Sequence, residues 1–127
     1  MPEEAFREMC ELSAETLDVD RVSIWLFTKD NNALRCGNLY MRNKDSHESG
    51  IELDSTVFRM YFSALLNQRV IAADDAMTHA ATKGFAVCRL PANGIDARLD
   101  TTLRIDGKFG VVCNEHIGGT RVWILDE

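Results

Sequence analysis

Residues 95–117 read IDARLDTTLRIDGKFGVVCNEHI. Ile95, Ala97, Leu99, Thr101, Leu103 and Ile105 alternate with Asp96, Arg98, Asp100, Thr102, Arg104 and Asp106. Successive side chains on a strand point to opposite faces. This period of two therefore predicts a strand with one buried and one wet face. Asp106-Gly107 is a reversal signal, and KFGVVCNEHI returns. On the return, Phe109, Val111, Cys113, Glu115 and Ile117 share one parity. Lys108, Gly110, Val112, Asn114 and His116 take the other. A two-residue turn sets the first strand's polar face beside Phe109 and Val111. A three-residue loop, Ile105-Asp106-Gly107 with Gly107 left-handed, pairs apolar with apolar, and burial favours it. The expected cross-strand partners are then Leu103 with Phe109, Leu99 with Cys113, and Asp96 with His116.

Upstream, Pro2, Glu3 and Glu4 suit a helix start. Phe6, Met9, Cys10, Ser13 and Leu17 recur at helical spacing, with Glu8, Glu11 and Glu15 facing away, so a helix is predicted from Glu3 to Leu17. RVSIWLFT (Arg21–Thr28) is apolar on both parities, as a central strand covered on both faces would be. DNN (Asp30–Asn32) turns the chain into ALRCGNLYM, a returning strand. RNKDSHESG (Arg42–Gly50) is polar throughout and predicts an exposed loop. Asp54, Ser55 and Thr56 are N-cap residues before the amphipathic VFRMYFSALLNQ. RVIAA (Arg69–Ala73) predicts a short strand. DDAM is a loop, and Thr78 suits the cap of a short helix from His79 to about Arg89, ended by Pro91, Asn93 and Gly94. Gly118-Gly119 breaks the last long strand, RVW suggests one more short strand, and LDE looks like the opening of a further helix.

The 127 residues suffice for one domain with a real core. A net charge of −6 with scattered basic residues argues against a nucleic-acid partner. No apolar run approaches the roughly 18 residues of a membrane span. The acidic N-terminus MPEEAFREMCELSAETL is unlike a signal or transit peptide. The expected compartment is the cytoplasm, without a membrane partner. Cys10, Cys36, Cys88 and Cys113 form no C-x-x-C pair and have largely apolar neighbours, which predicts free, mostly buried thiols.

The stretches DVDRVSIWLFTKDNNALRCGNLY, RVIAADDA and GIDARLDTTLRIDGKFGVVCNEHIGGTRVW, followed by LDE, resemble a GAF domain. The resemblance runs from about Leu12 to Glu127, and GVVCNEH with R-x-W and the final D-E is its most specific part. It implies an α+β fold: a six-stranded antiparallel, GAF-like and PAS-related sheet. Terminal helices cover one face, and short helices and loops enclose a pocket on the other. It also implies a single sensory domain over residues 1–127 with its last helix truncated, a homodimer, and a linked kinase or cyclase output domain as in bacterial histidine kinases and diguanylate cyclases or phosphodiesterases. Two departures stand out. The hairpin after TTL is one residue tighter than the family's, and HAATKGFAVCRLP lacks the common D-P-R-T opening.

The cluster Cys113, Glu115, His116 looks like chemistry when read as a string. A thiolate needs its base within hydrogen-bonding reach. Positions three apart on a strand face opposite ways, so Cys113 and His116 form no dyad. His47, His79 and His116 lie in a loop, at a helix start and on a strand, without metal-ligand spacing. Haem needs a single axial His, and His79 is the candidate. A helix-start histidine near Asp74 and Asp75 is the plainer reading. In tetrapyrrole-binding GAF domains the attachment Cys would fall near Phe85–Ala86. Cys88 lies beyond that point with no His beside it, which argues against a covalent bilin. The N-K-F-D-E signature of cyclic-nucleotide GAF domains is missing. In the GAF enzymes that reduce free methionine sulfoxide a pocket cysteine falls near Cys88, but a companion is not evident. Glu115 either pairs with a neighbour, holds a ligand, or reaches past the sheet end. Trp25, Phe27, Phe58, Met60, Tyr61, Phe62 and Phe85 are expected core, some lining an apolar pocket.

These readings converge on a non-catalytic, small-molecule-sensing domain that controls an output domain through rearrangement of its helices. The expected pocket residues are Asp75, His79, Phe85, Leu90, Leu99 and Cys113. The alternatives are a free methionine sulfoxide reductase and a ligand-free dimerisation module.

Overall fold

The computed structural model describes residues 3–28, 32–56, 58–76, 79, 81–82, 95–105 and 108–123. Helix α1 (Glu3–Leu17) leads into strand β1 (Arg21–Phe27), and β2 (Ala33–Met41) returns beside it. Two short strands follow, β3 (Ser46–Glu48) and β4 (Glu52–Asp54). Then come helix α2 (Arg59–Asn67), β5 (Val70–Ala73), and the long hairpin of β6 (Ile95–Ile105) and β7 (Lys108–Ile117). Among the described residues the strands form one antiparallel sheet in the order β3-β2-β1-β7-β6-β5. The seventh strand, β4, pairs with the far end of β2. The expected six-stranded path is present, and β4 is an addition to it.

The sheet carries one apolar layer on each face. Phe6, Cys10 and Ala14 repeat every fourth residue of α1 and meet Val22, Ile24 and Tyr40. Met9, expected to face inward, is 40% exposed and Leu12 is 66% exposed, because the buried stripe is narrow. Asp18, at φ 54°, ends the helix, and the Val19 amide donates back to the Ala14 carbonyl (3.1 Å). On the opposite face, Trp25, Leu34 and Val111 pack with Tyr61, Phe62 and Leu65 of α2. Strand β1 is therefore covered on both faces, as its uninterrupted apolar run predicts. Of the expected aromatic core, Met60 is 57% exposed on the outer side of α2.

Three stretches differ from their sequence reading. Residues 42–50 are not a simple exposed loop. A 3₁₀ turn at Arg42–Lys44 leads into β3, which pairs with Leu39–Met41. The His47 side chain is buried there. Its Nε2 lies 2.6 Å from Glu11 Oε2 of α1, its Nδ1 lies 3.0 Å from the Asn38 amide, and its ring leans on Tyr40. Helix α2 begins later than its capping residues suggest, because the Asp54 carboxylate accepts from the Thr56 amide (2.7 Å) and hydroxyl (2.6 Å) to make a turn first. Residues 120–123 form no strand.

The hairpin register is the third difference. The pairs are Ile105 with Lys108, Arg104 with Phe109, Leu103 with Gly110, Leu99 with Asn114, Asp100 with Cys113, and Ala97 with His116. This is the register of a two-residue turn, one step from the expected one, so Leu103–Phe109, Leu99–Cys113 and Asp96–His116 are not pairs. The supposedly wet face of β6 is covered by α2, and Arg98 and Asp100 are 5% and 0% exposed. Leu99 turns instead to the α1 side, next to Asn114. The Asn114 amide donates to the Leu99 carbonyl (3.1 Å) and accepts from the Ser13 hydroxyl of α1 (2.8 Å). Arg98, Asp100 and Asn114 are buried with partners and not exposed to water, so the burial test that favoured the other register fails.

Most of the predicted helix from His79 to Arg89 and the helix-like LDE lie outside the described residues. So do Cys88 and the expected pocket residues Phe85 and Leu90. Among the described residues no helix is long and apolar enough to cross a membrane.

Candidate functional site beneath helix α2

The hairpin register brings five charged or polar side chains together on the α2 face. Arg98 and Glu115 are cross-strand neighbours, as are Asp100 and Cys113, and Arg21 with Glu115 on the other side. Arg98 lies 3.1 Å from Asp100 Oδ2 and 3.7 Å from Glu115 Oε2. Arg21 Nε approaches Glu115 Oε1 at 3.4 Å. From α2 the Tyr61 hydroxyl donates to Asp100 Oδ2 (2.6 Å) and lies 3.4 Å from Cys113 Sγ. The Arg98 guanidinium also stacks over the Tyr61 ring at 5.3 Å. Further along β1 the Trp25 indole donates to Ser23 Oγ (2.7 Å). Two arginines and two carboxylates thus alternate across three strands, and their charges balance.

This burial sets the ionisation of each group. Burial disfavours the charge on Arg98, but Asp100 and then Glu115 more than restore it. Burial pushes the Asp100 carboxyl above the usual carboxylate range, and Arg98 and Tyr61 pull it back only in part. The Cys113 thiol is pushed well up by burial and by Asp100, and Tyr61 is raised for the same two reasons. Asp100 Oδ1 is fully enclosed and, among the described residues, has no hydrogen-bond partner. An orphaned acceptor in the interior is rare and costs stability.

Cys113 is accordingly a poor nucleophile, since the thiolate is the reactive form. Iodoacetamide at pH 8 is expected to leave Cys113 unmodified in the folded chain and to label it fully in urea. Peptide mass mapping reads the difference. Rapid labelling of Cys113 in the native chain would show that the cluster activates it.

The expected pocket residues separate. Cys113 stands in the cluster. Leu99 lies on the opposite face of the sheet and shares no wall with it. Asp75 and His79 form a turn beyond β5, in which the His79 amide donates to the Asp75 carbonyl (3.0 Å). The His79 ring is held within that turn, its Nδ1 accepting from the Ala81 amide (3.1 Å). His116 turns away from Cys113, as expected, but its neighbour is Asp20 (Nδ1 to Oδ2, 3.4 Å) and not Asp96. Asp96 instead accepts from the Gly118 and Gly119 amides. Glu115 does not reach past the sheet end, since it is 6% exposed and bridges two arginines. Sequence reasoning missed Arg21, Arg98 and Asp100, and gave Tyr61 only as core or apolar pocket lining. The signal was Glu115 on an apolar parity, which demands a buried cation as neighbour.

No protein-family profile matches this sequence, and no curated protein does. Solved structures do. The blue-light absorbing form of the Thermosynechococcus elongatus PixJ GAF domain superposes with a TM-score of 0.75 at 19% identity, over 96% of this chain and 73% of that one. The phycocyanobilin-bound GAF domain of a cyanobacterial phytochrome gives 0.72 at 16% identity, over 95% and 73%. The GAF domain of an Acinetobacter phosphoenolpyruvate-protein phosphotransferase gives 0.70 at 13% identity, over 96% and 70%.

The fold is that of a GAF domain.

In this GAF fold the charged cluster occupies the sheet face under α2, and α1 occupies the other. The resemblance read from GVVCNEH and its neighbours is thereby supported at the level of fold. The same strand that carries the resemblance also carries Cys113 and Glu115 of the cluster.

Proposed function

We propose that this chain is a sensing module without catalysis of its own, which binds a small molecule against the α2 face of its GAF sheet. The observation that supports the reading is the buried cluster with its orphaned Asp100 Oδ1. A face serving only to pack against α2 would be apolar, because buried charges cost stability even when paired. Buried ionisable groups with displaced pKa values concentrate at functional sites. The free acceptor at Asp100 suits a ligand that presents an N–H or O–H donor. The solved neighbours include a phycocyanobilin-bound GAF domain from a cyanobacterial phytochrome, which supports a small molecule as the occupant.

Ligand binding would then shift a pre-existing balance between two packings of the helices on the sheet. The exposed Met9 and Leu12 of α1 offer an apolar strip for pairing in a homodimer, with a kinase or cyclase as the output domain. The sulfoxide reductase needs a companion thiol for Cys88, and the raised thiol of Cys113 is a poor one. Turnover of free methionine sulfoxide that vanished in Cys88→Ser would restore that reading.

Native mass spectrometry of the purified chain tests the proposal. The wild-type chain is expected to carry one small non-covalent adduct, and folded Asp100→Ala to lack it. A bare wild-type mass would overturn the sensing reading in favour of a ligand-free dimerisation module. An adduct indifferent to Asp100→Ala would place the ligand elsewhere.

A further inference from the structure

The segment after β7 belongs to no strand, yet the amides of Gly118, Gly119, Arg121 and Trp123 are taken. Gly118 and Gly119 both donate to Asp96 Oδ2 (3.0 and 2.7 Å). Arg121 donates its amide to the Asp74 carbonyl (3.0 Å), and Trp123 donates its amide to Asp74 Oδ1 (3.1 Å). The Trp123 indole adds a bond to the Ala73 carbonyl (3.1 Å). The two glycines, at φ 102° and 118°, let the chain leave β7 sharply enough to reach these acceptors. Asp74 directly follows β5 and Asp96 stands near the start of β6. The Asp96 carbonyl also accepts from the Ala76 amide (2.8 Å), so the two strand ends and the segment are tied at one point.

The same segment reaches across to α1. The Arg121 guanidinium donates to the Leu17 carbonyl (2.7 Å) and the Asp18 carbonyl (2.8 Å), and it stacks on the Trp123 ring at 4.6 Å. A helix ends with carbonyls that have no partner of their own, and a cation there is doubly favoured. Trp123 packs against the layer between α1 and the sheet.

We propose that Asp74, Asp96 and Arg121 form a coupling junction, through which the turn after β5 sets how firmly the C-terminal end of α1 is held. The proposal rests on the sensing reading and names the contact that a signal would cross. Asp75, whose carbonyl accepts from the His79 amide, directly follows Asp74, so a displacement of Asp75 reaches Asp74 through one peptide bond. Coupling between two places is reciprocal, so loosening either end loosens the other.

Residue-resolved amide hydrogen exchange on the ligand-free chain tests this. In Asp74→Ala, the Val19 amide, which closes the end of α1, is expected to exchange roughly tenfold faster. Asp74→Asn keeps the oxygen that accepts from Trp123 and should retain the wild-type rate. In Arg121→Ala the reverse effect is expected, with faster exchange at the Ala76 and His79 amides across the junction. Acceleration confined to residues 121–123 in the first variant, or to the end of α1 in the last, would overturn the proposal. The Ile24 amide at the sheet centre reports global unfolding. Should Asp74→Ala raise it too, the partly exposed Arg121 site decides alone. A chain that passes this test and carries no adduct keeps the junction and loses the ligand. One that carries the adduct and fails it keeps the ligand and loses the junction.

Discussion

Replacing Arg98 by alanine is expected to lower the unfolding free energy by about 3–5 kcal/mol. Arg98 stands between Asp100 and Glu115, and all three are buried. Removing the cation leaves Glu115 with Arg21 alone and Asp100 with only the Tyr61 hydroxyl, in a medium that solvates neither carboxylate. One must take up a proton or draw water inward, and the Tyr61 ring loses the group stacked on it. A domain of ordinary stability has roughly 5–15 kcal/mol in hand, so the variant should sit near its threshold. Equilibrium urea unfolding reads the loss. Arg98→Lys separates charge from shape, since an ammonium keeps the charge but cannot reach both carboxylates with the planar guanidinium fork. It should fall between wild type and Arg98→Ala. A loss under about 1 kcal/mol in Arg98→Ala would mean that the cluster is solvated and that its charges behave as surface pairs do.

The second large effect concerns a residue with no side chain. Gly110 on β7 pairs with Leu26 of β1 and Leu103 of β6. A methyl group there would overlap the Trp25 carbonyl oxygen and come within 2.8 Å of Leu26 Cδ2. The first obstacle is backbone, in the most enclosed strand of the sheet, and it cannot rotate away. Gly110→Ala should therefore open the β1–β7 ladder locally and cost about 3 kcal/mol or more, at the upper end of overpacking effects. Urea unfolding measures the cost. Faster hydrogen exchange at the Trp25 and Leu26 amides locates it. A variant as stable as wild type would show that the two strands have room to part.

Much of this fold was legible in the chain. The helical spacing of Phe6, Met9, Cys10, Ser13 and Leu17 defines α1, although its buried stripe is Phe6, Cys10 and Ala14, and the doubly apolar RVSIWLF defines a strand at the sheet centre. Both are local signals, carried by residues adjacent along one element. The misread places depend on contacts distant in sequence. Strand β3 has three polar residues and exists only because β2 offers an edge and Glu11 of α1 meets His47. The hairpin register was judged on the assumption that charged residues seek water. Arg98 and Asp100 are instead covered by α2 and partnered, though not completely, by Glu115 and Tyr61, from elements that the alternation of β6 cannot reveal. The candidate site was thus largely hidden, apart from Cys113 and the anomaly of Glu115.

The paired short strands along β2 have one further consequence. Strand β4 occupies the outer edge at Ala33–Arg35 and β3 occupies it at Leu39–Met41. Between them the Cys36 amide donates to the Ile51 carbonyl and the Gly50 amide to the Cys36 carbonyl. The longest peripheral strand therefore has its outer hydrogen-bonding positions filled by its own chain. What faces outward is two pieces of three residues each, too short to template a neighbour. Strand addition along this border is closed to amyloid-like growth and to domain swapping alike. Along this border, contact between copies is left to side chains, where a single substitution can regulate it.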